Sequence, residues 1–396
     1  MSQPFKINVS DESLELLAKK LALTRLPDEI EDAGWDYGVP LQDIRRLVGR
    51  WKDGFDWRKQ EKILNDELPQ FTRDIEVDGF GKLNVHFVHQ ESKTKNAIPL
   101  LFAHGWPGSF LEVRKILPLL TTGYPSFHVV AIGHPGYGFS EAPKKKGFGL
   151  AQYAEVGHKL MLALGYKEYV TQGGDWGFGI TRTLAAKYGP EYSKAWHTNT
   201  QYRWLCSYTG PKPDYDSPAH QALTPSEQAG LQRTKWFEEK GCGYYAEQST
   251  QPQTLGYSLS DSPVGLLAWI YEKLVNWTDN YDWDDDEVLT WISVYWFSGS
   301  GPAASIRIYY EYEQGGGRAS LLNPTIPFGK SYFPKEIYVL PKAWMTEKNL
   351  IFESYHQSGG HFAAHEKPGE LIDDLRRMFG KGGPACGVVP GKDGYN

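Results

Sequence analysis

The chain has 396 residues, of which 40% are hydrophobic, and its 42 basic and 48 acidic residues leave a net charge of −6 at pH 7. This length allows one large domain with an insertion or two domains, and the mixture of charges argues against a protein that binds nucleic acid or anionic lipid. No stretch approaches the roughly 20 apolar residues that span a bilayer, and the N-terminus lacks the pattern of a secretory signal, so we expect a cytoplasmic protein without a membrane anchor.

The N-terminal part of the chain, residues 1–70, is rich in charge and tryptophan. It carries helical patterns at 11–22 and 40–52 and contains no apolar run that could form the core of a sheet. We therefore expect an N-terminal helical extension that packs on the rest of the molecule.

Residues 71–195 show the alternation of strands and helices that is typical of a parallel α/β sheet. Predicted strands occupy a hairpin at 74–80 and 82–90 and buried runs at 98–105 and 127–133, and predicted helices occupy 111–120 and 150–164. The two buried runs each end in a turn rich in Gly and Pro. We interpret this range as the first part of an α/β core.

Near the end of this range, the sequence predicts a strand and a helix joined by a sharp turn. Residues 167–172 are predicted as a strand, 178–188 as a helix, and 173–177 between them read Gly-Gly-Asp-Trp-Gly. Small residues around a central side chain allow the strained turn that presents a nucleophile in many hydrolases. Here the central residue is Asp175.

A carboxylate at the position of the nucleophile indicates which kind of carbon atom is attacked. An aspartate is poorly suited to attack an acyl carbon, but it can displace a leaving group from a saturated carbon and form an alkyl ester. Asp175 therefore favours the hydrolysis of epoxides or alkyl halides over that of esters and peptides.

Residues 196–320 lose the strand pattern and become helical, which predicts an insertion that covers the sheet as a lid. The predicted helices lie at 225–240, 263–277, 286–298 and 303–313. Much of the chain's high aromatic content falls in this range, where it could line an apolar pocket or simply build a core of large rings.

Strands return after the insertion, at 324–328 and 350–355, and an amphipathic helix follows at 368–378. Residues 321–380 are thus predicted to be the second part of the core. The last stretch, 381–396, has many Gly and Pro residues and no periodicity, and we expect a poorly ordered tail.

Two loops after the insertion supply candidates for the rest of a catalytic triad, because reactive groups in such sheets lie at the carboxyl ends of the strands. His361, in a glycine-flanked loop, is the candidate general base. Glu336 follows the preceding strand and could orient the imidazole, with Glu353 and Asp279 as alternatives for the acid. The order nucleophile, acid, histidine is the one expected of α/β-hydrolases.

The sequence offers no convincing metal site. His361 and His365 are spaced as in some metal motifs, but no HExxH arrangement accompanies them, and we interpret His356 and His365 as structural or surface residues. The widely spaced Cys206, Cys242 and Cys386 indicate neither a disulfide framework nor zinc, and we expect no metal or organic cofactor.

The loop 104–109, His-Gly-Trp-Pro-Gly-Ser, directly follows a buried strand. Gly and Pro would bend its backbone so that the amide of Trp106 points into the cleft. Together with the amide of Trp176, it is predicted to form an oxyanion hole.

The motifs HGWPGS, GHPGYGFS, GGDWG and SGGHFAAHE, in this order, resemble those of the microsomal-type epoxide hydrolases of the α/β-hydrolase fold, a group that includes soluble fungal enzymes. The resemblance covers roughly residues 5–380. It implies that two lid tyrosines, matched here by Tyr244 and Tyr309, donate hydrogen bonds to the epoxide oxygen. The adjacent Tyr245 and Tyr310 leave the register of both assignments open.

The sequence thus predicts an epoxide hydrolase that forms an ester on Asp175 and acts on small apolar or aryl epoxides. A haloalkane dehalogenase and a non-catalytic ligand-binding protein of the same fold are the alternatives. The former would need a halide donor, such as Asn, where Trp106 stands, and the latter would predict the loss of Asp175, His361 or the acid. Dimerisation occurs among members of the family, and a homodimer is implied for this chain by that analogy alone.

Overall fold

The computed structural model describes residues 1–201, 223–345 and 348–396. Within these ranges, strands form one sheet in the spatial order β1-β2-β3-β5-β4-β6-β7-β8-β9. The strands are β1 Gln3–Phe5, β2 Gln70–Val77, β3 Gly81–Gln90, β4 Ile98–Ala103, β5 Phe127–Ile132, β6 Tyr169–Gly173, β7 Ser193–Thr198, β8 Phe328–Tyr332 and β9 Leu350–Tyr355.

The sheet is antiparallel at one end and parallel over the rest. The pairs β1–β2, β2–β3 and β3–β5 are antiparallel. The pairs β5–β4, β4–β6, β6–β7, β7–β8 and β8–β9 are parallel. All six residues of β4 are buried, as expected of a parallel strand covered by helices on both faces. The predicted mostly parallel α/β sheet is therefore confirmed.

The helices lie between the strands and after the last of them. Between β1 and β2 lie α1 Asp11–Ala22, α2 Leu41–Asp53 and α3 Trp57–Glu67; between β4 and β7 lie α4 Leu117–Thr121, α5 Leu150–Ala163 and α6 Trp176–Tyr188; between β7 and β8 lie α7 Pro225–Trp236, α8 Gly243–Thr250, α9 Pro252–Asp261, α10 Pro263–Asn276, α11 Asp285–Trp296 and α12 Arg307–Gln314; and after β9 lie α13 Ala363–Glu366 and α14 Pro368–Phe379. Residues 202–222 of the predicted lid, with Cys206, lie outside the described residues.

The structure departs from the predicted elements in several places, and β1, α8 and α9 are among the elements that were not predicted. The strand β7 was not predicted, because Lys194, His197 and Thr198 hide its apolar pattern although β7 pairs with strands on both sides. The strand expected at 324–328 begins only at Phe328. The helix expected at 111–120 is divided into a 3₁₀ turn, Phe110–Val113, and α4.

The expectation of a poorly ordered tail was wrong. The Gly394 carbonyl accepts a hydrogen bond from Ser126 N–H at 2.9 Å, and Gly394 N–H donates to the Asn96 carbonyl at 2.8 Å. The Tyr395 ring stacks on Tyr124 with ring centroids 5.4 Å apart. The tail, with its many Gly and Pro residues, is therefore irregular but packed, and it is hydrogen-bonded to residues just before β4 and β5.

The extension packs on the inserted helices as well as on the sheet. On α2, Leu47 and Trp51 are buried in the same apolar cluster as Leu267 of α10 and Trp291 of α11. The Arg50 guanidinium on the same helix binds both carboxylate oxygens of Asp286, at 2.8 and 2.9 Å. Helix α2 therefore fixes the inserted helices against the core.

None of the helices in the described parts of the chain has the length and apolar character that crossing a membrane would require.

Candidate active site

A strained turn between β6 and α6 presents Asp175. Its backbone has φ 51° and ψ −129°, a conformation that non-glycine residues rarely adopt. The turn also needs glycine on both sides, since a Cβ added to Gly173 would lie 2.4 Å from the Gly177 carbonyl oxygen, and one added to Gly177 would lie 1.9 Å from that of Ala103. The sequence Gly-Gly-Asp-Trp-Gly is thus the one that this close approach of strand and helix permits.

Residues at the end of β7 hold this turn. The Asp175 N–H donates to Thr200 Oγ1 at 2.7 Å, and the Thr198 hydroxyl donates to the Gly173 carbonyl at 2.6 Å. Sequence reasoning missed these threonines because it missed β7. The one signal for them was a polar Thr-Asn-Thr run at 198–200, just inside the predicted insertion.

The two oxygens of the Asp175 carboxylate have different surroundings. Trp106 N–H donates to Oδ1 at 2.8 Å, whereas Oδ2 lies 3.2 Å from His361 Nε2. The side chain is buried, with 7% of the residue exposed. Trp176, the other predicted oxyanion donor, follows as the first residue of α6.

His361 lies between two carboxylates. Its Nδ1 is 2.5 Å from Oε1 of Glu336, a fully buried side chain whose Oε1 also accepts the N–H of Ile337 at 2.7 Å. Burial lowers the pKa of His361, but Glu336 and Asp175 together outweigh that effect and raise the pKa to about 10. The free site therefore favours an imidazolium between two carboxylates.

The alternative acids have other partners. Glu353 accepts hydrogen bonds from the hydroxyls of Tyr332 and Tyr355, at 3.1 and 3.0 Å. The carboxylate of Asp279 accepts the N–H of Gly359 at 2.9 Å. Glu336 is the acid that the structure brings to His361.

The neighbouring histidines also lie in other interactions. His356 Nε2 is 2.6 Å from Asp374 Oδ2, and His365 Nε2 is 2.9 Å from Glu287 Oε1. Among the residues that the structure describes, no group of three or more His, Cys, Asp or Glu could hold a metal ion.

Tyr244 on α8 and Tyr309 on α12 are buried against Trp106 and line the same cavity as Asp175. Their rings lie 5.4 and 5.8 Å from that of Trp106, and Tyr309 also contacts the Trp176 ring edge-on at 4.8 Å. Burial raises the pKa of both phenols well above its usual value, and the charge of Asp175 raises each further. Both side chains therefore remain protonated hydrogen-bond donors.

Their sequence neighbours lie differently. Tyr245 lines the same cavity as Tyr244 but donates its hydroxyl hydrogen bond to Glu313. Tyr310 is partly exposed and lines a separate surface groove with Lys146 and Lys187. Of the two pairs, Tyr244 and Tyr309 are the members whose rings pack against Trp106, the residue whose N–H binds Asp175.

One cavity of about 340 Å³ is lined by Asp175, Tyr244 and Tyr309 together. Its lining includes Asp175 and Trp176 from the core and Phe237, Tyr244 and Tyr309 from the inserted helices. A space of this size with walls rich in aromatic side chains suits a small apolar molecule.

Comparison with known proteins gives consistent results along the chain. Residues 2–113 match the family described as "Epoxide hydrolase N terminus", and residues 98–238 match that described as "alpha/beta hydrolase fold". Epoxide hydrolase 1 of Sus scrofa is 36% identical over 415 aligned positions, which cover 96% of this chain and 88% of that protein.

Two further relatives agree over a similar extent. Juvenile hormone epoxide hydrolase 1 of Ctenocephalides felis is 33% identical, with 94% of this chain and 84% of that protein covered. The structure of Aspergillus niger epoxide hydrolase superposes with a TM-score of 0.82 at 35% identity, covering 95% of each chain. The similarity therefore spans the extension, the sheet and the inserted helices.

Proposed function

This chain belongs to the epoxide hydrolase family of the α/β-hydrolase fold, and on that premise we propose that it converts apolar or aryl epoxides to vicinal diols through an ester formed on Asp175. In this proposal residues 1–70 form the extension, 71–195 and 321–380 the core, 196–320 the lid and 381–396 the tail, with the boundary between core and lid moved to the end of β7 at Thr198. The observation that carries the mechanism is the divided environment of the Asp175 carboxylate, with an amide on one oxygen and His361 beside the other.

In the first step, Asp175 Oδ2 attacks an epoxide carbon and the carbon–oxygen bond of the ring breaks. Tyr244 and Tyr309 donate hydrogen bonds to the ring oxygen, and one of them supplies the proton that the alkoxide needs to leave. A phenol suits this role because its usual pKa of about 10 keeps it protonated at neutral pH. The product is a hydroxyalkyl ester on Asp175.

In the second step, His361 removes a proton from water, and the resulting hydroxide attacks the carbonyl carbon of the ester. Esterification removes the charge of Asp175, which is one of the causes that raise the pKa of His361, so this pKa falls and the imidazolium passes its proton, through solvent, to the tyrosinate left by the first step before the neutral imidazole acts as the base. Glu336 holds the imidazole through Nδ1. The amides of Trp106 and Trp176 stabilise the oxyanion, and its collapse breaks the ester C–O bond, passes the proton of the added hydroxyl to the leaving oxygen and releases the diol from the Asp175 carboxylate.

The mechanism is tested by a single turnover of styrene oxide with excess enzyme in ¹⁸O-labelled water. The oxygen added in the first turnover should come from Asp175 and be unlabelled, while the label enters the carboxylate and appears in the diol of later turnovers. Label in the first diol would contradict an ester intermediate. Asp175→Ala should abolish turnover with an unchanged circular dichroism spectrum, and retained activity would exclude Asp175 as the nucleophile.

A further inference from the structure

The loop that carries His361 is held by three consecutive backbone amides. Two of these amides donate to acceptors in the segment 277–279, and the third donates to the last residue of α13. The pairs are Gly359 N–H to Asp279 Oδ2 at 2.9 Å, Gly360 N–H to Glu366 Oε1 at 2.8 Å and His361 N–H to the Trp277 carbonyl at 2.8 Å. The backbone of the candidate base is therefore anchored to an element far away in sequence.

Glu366 joins the two sides of this arrangement. Its Oε1 accepts the N–H of Gly360, while its Oε2 accepts the N–H of Asp279 at 3.0 Å. One carboxylate thus bridges the histidine loop and the segment between α10 and α11.

The arrangement has little room to shift. A Cβ added to Gly360 would lie 2.4 Å from the Trp277 carbonyl oxygen and 3.1 Å from Glu366 Oε1. The Trp277 ring also packs edge-on against the His361 ring, with centroids 4.9 Å apart. Backbone and ring of His361 are therefore constrained by the same segment.

The surroundings of the Glu366 carboxylate disfavour its charged form. Burial and the nearby charge of Asp279 raise its pKa to about 7, although the amides of Asp279 and Gly360 oppose this rise. The charge of His361 lowers the pKa of Glu366, and the charge of Glu366 raises that of Tyr281. A half-buried carboxylate beside another one is costly for the fold, and such groups concentrate at functional sites.

We propose that Glu366 and Asp279 are positioning residues, which act through the amides of Gly359 and Gly360 to hold the imidazole of His361 between Glu336 and Asp175. The inference rests on the proposed function, in which His361 acts on water in the second step. Misplacement of a catalytic group by about 1 Å can cost on the order of 100-fold in rate. Loss of either acceptor should therefore slow hydrolysis of the ester and leave its formation almost unchanged.

The test separates the two steps by rapid mixing of enzyme with styrene oxide, acid quenching and intact-protein mass spectrometry. Asp279→Ala removes the acceptor of Gly359 N–H, and Glu366→Gln replaces one acceptor oxygen by an amide NH₂ that faces a backbone N–H. For both we expect the ester to accumulate because its hydrolysis is about 10- to 100-fold slower, with its formation changed by less than about 3-fold.

Two variants serve as controls. Asp279→Asn keeps an acceptor oxygen for Gly359 N–H and should restore ester hydrolysis to near the wild-type rate. Asp373→Asn on α14 changes an exposed carboxylate and should alter neither step.

The possible outcomes are distinct. Unchanged ester hydrolysis in Asp279→Ala and Glu366→Gln, or equal slowing of both steps, would overturn the positioning role. Wild-type enzyme that forms diol without a detectable ester adduct and with ¹⁸O in the first-turnover product would instead overturn the proposed function. If Asp279→Ala does not fold, the near-isosteric Glu366→Gln decides the question.

Discussion

At the scale of single residues, the site depends on charges that are buried together. Asp175, Glu336 and His361 are 7%, 0% and 4% exposed, so their interactions are little screened by water. Two carboxylates around one imidazole favour its protonated form, and removal of either charge should favour the neutral base.

Glu336→Gln tests this balance. The change removes one of the two negative charges, and we expect the pKa of His361 to fall by at least about one unit from its raised value, since an adjacent opposite charge is worth roughly 1–3 units. The measurement is an NMR titration of the imidazole Hε1 resonance. Glu353→Gln is the matched control, because that carboxylate contacts Tyr332 and Tyr355, and an equal shift in both variants would contradict a direct effect.

Adjacent tyrosines allow an equally local test of the proton donors. Tyr309→Phe removes a buried hydroxyl beside Trp176 and should slow ester formation roughly 100-fold, the usual contribution of general acid catalysis. Tyr310→Phe, one position along the same helix, should leave ester formation unchanged because that side chain lines a different groove. Stopped-flow tryptophan fluorescence measures the step, and the reverse ranking would move the assignment to Tyr310.

At the scale of elements, the candidate catalytic residues depend on helices that carry none of these residues themselves. Helix α2 packs on α10 and α11, and α10 leads into the segment 277–279 that anchors the histidine loop. The N-terminal extension therefore supports the site from outside, chiefly through apolar packing, with the bidentate ion pair between Arg50 and Asp286 as a smaller contribution.

Leu47→Ala tests the support from α2. Leu47 is fully buried, and the deletion of its side chain should lower the free energy of unfolding by about 2–5 kcal/mol. Urea denaturation followed by circular dichroism measures the change. Arg45→Ala, at an exposed position on the same helix, should change it by less than about 0.5 kcal/mol, and comparable losses in both variants would exclude the packing explanation.

At the scale of the whole molecule, one apolar cluster connects all the layers. It contains Leu47 of the extension, Leu101 and Trp106 of the core, and Leu267 and Trp291 of the inserted helices. The cavity lies between the core and the inserted helices, so that Asp175 and much of the surrounding wall come from different parts of the chain. The shape of the substrate site is therefore a property of the assembled molecule.

The sequence by itself determined the sheet class, the turn at Asp175 and the chain order of Asp175, Glu336 and His361. These features are local, because a strand, a glycine turn and a helix are specified by residues within a few positions of one another, and parallel strands bring the loops at their carboxyl ends to one edge. The strand β7 was missed for the same reason, since its polar residues have no local apolar pattern.

Only the tertiary structure decided which groups share an environment. Tyr309 and Tyr310 are adjacent on α12, and their helical rotation separates a buried position from a partly exposed one once the helix is packed. The link from Glu366 to Asp279 spans 87 positions. The physical reason is that side-chain direction and long-range hydrogen bonds arise from the packing of distant elements, whereas the turn that presents Asp175 arises from its own neighbours.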